Sequence, residues 1–276
     1  MLKRILFFAI TTLLVTACGN KQGGEQSDDM AQFAEDTTFK EAHDEPEDFE
    51  FQAKGEMMQY STPDGKKASA YALRPEEETD KYLLVIHEWW GLNDHIKREA
   101  ERLFDTLNNV KVLALDMYDG KVATTQEEAS KYMEAMSQER GKAIVQGALN
   151  LAGQSAKIAT IGWCFGGGWS LQTSILAGNR GKACVMYYGM PVQNAKDLAP
   201  LEAPILGIFA EKDGWINPEV VKKFQELAKA TGKDLEVHSF NADHAFANPS
   251  NPNYDKESTQ QARKLTLNFL QEHLLN

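Results

Sequence analysis

The sequence predicts an α/β fold: one large domain on a mostly parallel central sheet with helices on both faces. Its composition is globular, with 42% hydrophobic and 25% charged residues over 276 positions. Apolar runs of strand character recur at Tyr82–His87, Val110–Leu115, Lys157–Ile161, Cys184–Tyr188, Ile205–Phe209 and Leu235–Phe240. Between them lie stretches with apolar residues at helical spacing. Strand–helix alternation of this kind makes a parallel sheet buried on both faces, with ligand sites beyond the carboxyl ends of the strands.

The chain opens with Lys3 and Arg4 before an apolar run from Ile5 to Val15, shorter than a permanent membrane span. The run ends in Val15-Thr16-Ala17-Cys18, which resembles a bacterial lipobox. Residues 1–17 are therefore expected to be a signal peptide and Cys18 a lipid anchor, placing the protein in the cell envelope. Gly19 in place of an aspartate leans toward the outer membrane. Residues 18–50 carry eleven acids against Lys21 and Lys40. Like charges repel and few apolar groups are available for burial, so this segment is expected to be a flexible tether. The overall charge of −11 thus sits mostly in the tether. Such acidity argues against nucleic acid, whose phosphates need clustered Lys and Arg. Three cysteines cannot build a disulfide framework.

The domain occupies residues 51–276. Glu56–Tyr60 and Ala68–Leu73 read as strands around the turn Thr62-Pro63-Asp64-Gly65. Ile96–Asn108 puts Ile96, Ala100, Leu103, Phe104 and Leu107 on one helical face. Pro218–Ala230 starts a helix with Pro in its first turn and Asn217 as N-cap. A last helix covers roughly 255–275. The stretch 120–140, with Tyr132, Met133 and Met136, is expected to be a mobile cap or a surface helix.

Three strand ends carry chemistry. After Lys157–Ile161 comes Gly162-Trp163-Cys164-Phe165-Gly166, the nucleophile-elbow pattern with Cys for Ser. A nucleophile on a sharp strand-to-helix turn needs neighbours without side chains, and the helix N-terminus favours a thiolate. Cys184 lies inside an apolar run and reads as a core residue. His244 follows the last strand and Asp213 the strand before it, whereas His87 ends a buried-looking strand and reads as packed. The order Cys164, Asp213, His244 is the nucleophile–acid–histidine order of α/β-hydrolases.

With these residues the chain resembles the dienelactone hydrolase family over roughly 55–275. The resemblance rests on His87-Glu88-Trp89-Trp90-Gly91, Asp116-Met117-Tyr118, the cysteine elbow, Tyr187-Tyr188-Gly189, Asp213 and His244-Ala245-Phe246. It implies Cys164 as nucleophile, His244 as base, Asp213 as its orienting acid, and Glu88 as a carboxylate engaging the resting thiol. The backbone N–H groups of Phe165 and Trp89 would form the oxyanion hole. Trp90, Trp163, Tyr188 and Trp215 are expected to wall the substrate pocket. The chain departs from the family at the arginines that would hold the substrate carboxylate: four residues after the histidine it has Asn248, and for a second arginine, expected after Asp116-Met117-Tyr118, neither Lys121 nor Arg140 is a convincing match.

The function expected is hydrolysis of an ester, lactone or thioester by a monomer without cofactor. The competing reading is a lipid-tethered binding module that keeps the fold but not the activity. A redox role lacks a C-x-x-C, and a metal centre lacks H-E-x-x-H or any Cys/His cluster along the sequence.

Overall fold

A computed structural model of the protein describes residues 30–47 and 49–276. The proposed signal peptide, Cys18 and the first part of the tether lie outside them. Eight strands form one sheet: β1 Glu56–Ser61, β2 Lys67–Leu73, β3 Lys81–Ile86, β4 Lys111–Leu115, β5 Lys157–Trp163, β6 Gly181–Tyr187, β7 Ile205–Ala210 and β8 Leu235–Phe240. Their spatial order is β1-β2-β4-β3-β5-β6-β7-β8. The β1–β2 and β2–β4 pairs are antiparallel, and β4 through β8 run parallel. Every expected strand is present, each shifted at its ends by three residues or fewer.

The helices are α1 Thr37–Glu41, α2 Asp94–Leu107, α3 Gln126–Ala135, α4 Gln138–Ala152, α5 Phe165–Ala177, α6 Ala195–Leu198, α7 Pro218–Ala230 and α8 Lys256–Leu270. Asn217 caps α7 as expected, its side chain accepting from the Glu219 and Val220 N–H groups. The final helix stops at Leu270 and continues as a π-turn over Gln271–Leu275.

In β7 every residue is buried, and in β3 Leu83–Ile86 are. Successive side chains of a strand point to opposite faces, so both faces of the sheet are covered there. The edge strand β8 is at most half-buried along its length. From β3 the chain crosses to β4 on one side, while β5 pairs with β3 on the other. The strand order therefore reverses between β3 and β5. Open α/β sheets bind ligands in the crevice beyond such a reversal. The loop after β3 holds Glu88 and Trp89; the turn after β5 holds Cys164.

The N-terminal segment corrects an expectation. Residues 30–47 lie in the stretch read as a flexible tether, yet Met30, Ala34, Phe39 and His43 are buried against the domain. Asp36 caps α1 by accepting from the Thr38 and Phe39 N–H groups. The stretch 120–140 also differs from a mobile cap: α3 buries Ala129, Ser130 and Met133, and the Ser130 hydroxyl donates to the Ala34 carbonyl. It is a shelf on which the N-terminal segment rests.

Candidate active site

Cys164 is held at φ 52°, ψ −119° between β5 and α5. A non-glycine residue in that region is strained, and the strain persists only where the surroundings fix it. Two glycines make it feasible. A Cβ on Gly162 would come within 2.0 Å of the Gly166 carbonyl oxygen, and one on Gly166 within 2.3 Å of the Ile86 oxygen. The turn is thus too tight for any other residue at either place.

His244 follows β8 and reaches back to Asp213 after β7. The His244 Nδ1–H donates to Asp213 Oδ2 at 2.6 Å, and Asp213 Oδ1 accepts from the Trp215 and Ile216 N–H groups at 2.8 Å each. Burial alone would raise the Asp213 carboxyl, but His244 and these N–H groups hold it below the ordinary value. Burial pushes the His244 imidazole down; the charges of Asp213 and Cys164 and the hydrogen bond to Asp213 outweigh that and raise it above its ordinary value. The Cys164 thiol is raised by burial and by the Glu88 charge, against the pull of His244 and the Phe165 N–H. At rest it is a thiol.

Glu88 is buried, and burial lifts its carboxyl to about 7 despite His244, Tyr188 and Asn248. Its Oε2 accepts from Asn248 Nδ2 at 2.6 Å, and its Oε1 from the Tyr188 hydroxyl at 3.5 Å. No hydrogen bond joins it to Cys164; its influence on the thiol is through charge. Asn248, the position that departs from the family pattern, thus holds Glu88. Arg140 is far from this centre, bracing Asp64, Asp119 and the Lys67 carbonyl. Its neighbour Asp116 is likewise structural, accepting from the Tyr118 and Gly120 N–H groups.

His87 is packed, as expected. Its Nε2 accepts from the Met117 N–H at 3.1 Å, so Nδ1 carries the proton and donates to the Glu88 carbonyl at 2.5 Å. This ties the loop after β4 to the end of β3. Cys184 is buried within β6, its thiol pushed up to about 11 mainly by burial.

The tryptophans divide. A cavity of about 280 Å³ adjoins Glu88, and its lining includes Trp90, Trp163, Tyr187, Asn248, Arg98 and Arg102. Trp90 and Trp163 thus line a cavity beside Glu88. Tyr188 and Trp215 do not line it. Tyr188 packs against His244 with ring centroids 5.0 Å apart and the rings tilted, deep in the protein. Trp215 packs against His244 and Phe39 and donates from Nε1 to Asp36. Trp89 is fully buried beneath Phe39 and His43.

Sequence reasoning missed the residues that cover the centre. Phe39 and His43 pack on His244 at ring separations of 5.8 and 5.3 Å. Under them Cys164 is 0% and His244 1% exposed. Hydrogen bonds pin the segment: Gln126 Nε2 donates to the His43 carbonyl and Asn251 Nδ2 to the Ala42 carbonyl. The Phe165 N–H, at the first position of α5, has no intrahelical acceptor and is available beside the thiol.

A strained residue between strand and helix, with a histidine–carboxylate pair from the ends of the last two strands, defines an α/β-hydrolase-type domain. The family model of the dienelactone hydrolase family matches residues 68–274. The chain belongs to that family. It is 29% identical over 233 residues to Protein usf of Aquifex pyrophilus, covering 80% of this chain and 99% of that protein. It is 22% identical over 227 residues to carboxymethylenebutenolidase 1 of Cupriavidus pinatubonensis, covering 77% and 95%. The crystal structure of dienelactone hydrolase from Anabaena variabilis superposes with a TM-score of 0.59 at 18% identity, covering 81% of this chain and all of that one. At that identity the structural likeness speaks for the fold.

Proposed function

We propose that this family member hydrolyses carboxylic esters or lactones, thioesters included, with Cys164 as nucleophile, His244 as base and Asp213 as its orienting partner. The observation that carries this is Cys164 strained on its elbow beside a His244–Asp213 pair. His244 takes the thiol proton at Nε2 while sulfur bonds to the substrate carbonyl carbon. Charge develops on the carbonyl oxygen, facing the N–H groups of Phe165 and Trp89. The carbon–oxygen bond then breaks, and His244 returns the proton to the leaving alcohol. Water, deprotonated by His244, cleaves the thioester and restores the thiol. Asp213 keeps the proton on Nδ1 throughout, so Nε2 always faces the reaction.

Substrate reaches this centre when the 36–43 segment moves aside. The cavity between Trp90 and Trp163 supplies an apolar wall for the acyl or alcohol part. Cys18, in its lipobox-like setting, would tether the enzyme to the cell envelope.

Hydrolysis of short p-nitrophenyl esters by the wild type beside Cys164→Ala and Cys184→Ala tests the reading. Turnover should fall at least about 10³-fold in Cys164→Ala and stay near wild type in Cys184→Ala. Equal loss in both variants would refute the assignment.

A further inference from the structure

His43 reaches the catalytic centre from a segment that plays no part in the proposed reaction, and it brings a lone pair. Its Nδ1 lies 2.7 Å from the Phe39 carbonyl oxygen. A carbonyl only accepts, so the neutral ring carries its proton on Nδ1 and a lone pair on Nε2. That Nε2 is buried without a hydrogen-bond partner. His244 is arranged the same way, with Nδ1–H given to Asp213 and a buried Nε2 that has no partner. The third member is the Cys164 thiol. One donor atom from each of His43, Cys164 and His244 lies within 4.8 Å of the other two, and all three residues are buried. A buried nitrogen left without a partner costs about 1–3 kcal/mol, and His43 Nε2 is one whatever proton His244 holds.

We propose that His43, Cys164 and His244 form a site for Zn²⁺, which latches the 36–43 segment over the catalytic centre and silences it. Two imidazoles and a thiolate are a donor set for a borderline-soft ion; Mg²⁺ and Ca²⁺ require oxygen. A tetrahedral zinc with bonds of about 2.0–2.3 Å spaces its ligands roughly 3.3–3.8 Å apart, so the three donors close by about 1 Å. Each imidazole already gives its other N–H to a carbonyl or carboxylate, the outer-shell pattern that orients metal-bound histidines. Charge also balances: the thiolate and Asp213 together neutralise a divalent ion in a buried place.

As the zinc–sulfur bond forms, the S–H bond breaks and the proton leaves to solvent. The imidazoles contribute electron pairs, His244 first shedding any proton it holds on Nε2. Nothing is oxidised or reduced, and the fourth zinc position is left for water. Sulfur and Nε2 are the two atoms the proposed hydrolysis needs, so the loaded protein cannot turn over. That silencing rests on Cys164 being the nucleophile; the metal site rests on geometry alone.

The test is titration of the chelator-treated full-length chain with Co²⁺ and Zn²⁺. Co²⁺ should bind at one equivalent with a thiolate-to-cobalt charge-transfer band, and Zn²⁺ should displace it. The band should vanish in Cys164→Ser and persist in Cys184→Ser. His43→Gln should weaken Zn²⁺ binding by more than the roughly 10–100-fold that loss of an outer-shell partner costs. Circular dichroism of each variant controls for folding. The absence of a band in the wild type, or His43→Gln binding zinc as tightly as wild type, would overturn the proposal. Ester turnover surviving Cys164→Ala would instead sink the assignment of Cys164 as nucleophile, whatever the cobalt spectrum showed.

Discussion

Burial and charge act on Glu88 in opposite directions. Burial lifts its carboxyl from 4.5 to about 7, while His244, Tyr188 and Asn248 favour the charged form. Between those values the folded protein keeps a proton that the unfolded chain has shed. The group's contribution to stability is therefore complete below pH 4.5 and is lost as pH rises through about 7. The full swing is on the order of 3 kcal/mol. Glu88→Gln is neutral at every pH and keeps an oxygen for Asn248 Nδ2. Relative to wild type, it should gain stability in urea unfolding between pH 5 and pH 8, while the two match near pH 4.5. A constant difference across that range would mean Glu88 stays charged when folded. Because the Glu88 charge helps raise the Cys164 thiol, the same variant should shift the iodoacetamide profile of Cys164 to lower pH. The pairing of Asn248 with Glu88 was not legible in the sequence. The position read only as a missing arginine, since two side chains 160 positions apart meet through the fold alone.

At the scale of elements, the strand ends were legible and the cover was not. The elbow was readable because its constraint is local: two glycines crowd one turn. His244 and Asp213 were readable because their strands are apolar runs with polar residues directly after them. The cover has no such pattern. Met30, Phe33, Ala34 and Phe39 are dispersed among acids, and α1 is only five residues long, too short to be stable alone. What orders it is the aromatic surface it meets. Phe39 packs edge-on against Trp89 and Trp215 at 5.3 and 5.2 Å, contacts that lie far off in sequence. Truncating a buried phenylalanine costs about 3–5 kcal/mol, and here the loss falls on the docked segment. Phe39→Ala should therefore speed carboxamidomethylation of Cys164 by about 100-fold or more in chelator, leaving the thermal transition of the sheet nearly in place. An unchanged alkylation rate would mean that the thiol is reached by another route, past Trp90 and Trp163.

For the whole molecule, the division at residue 50 becomes a functional question. The sheet, helices α2 to α8 and the centre at the β3–β5 reversal all lie in residues 51–276, and the strand pairing uses nothing N-terminal of Glu56. Residues 51–276 should accordingly fold alone, with a somewhat lower melting temperature because Trp89, Trp215 and His244 lose the cover over them. On the proposed reading, only the fraction of the full chain with the segment undocked accepts substrate, so the apparent kcat/KM would be the intrinsic value multiplied by that fraction. Removing residues 1–50 should raise kcat/KM for p-nitrophenyl esters by the inverse of the open fraction. It should also abolish any difference between metal-free and zinc-treated enzyme that depends on His43. The comparison needs both proteins in chelator, so that only docking differs between them. If the short form turned over more slowly than the full chain, residues 30–43 would be part of the productive site, and Phe39 would be a wall of the substrate pocket.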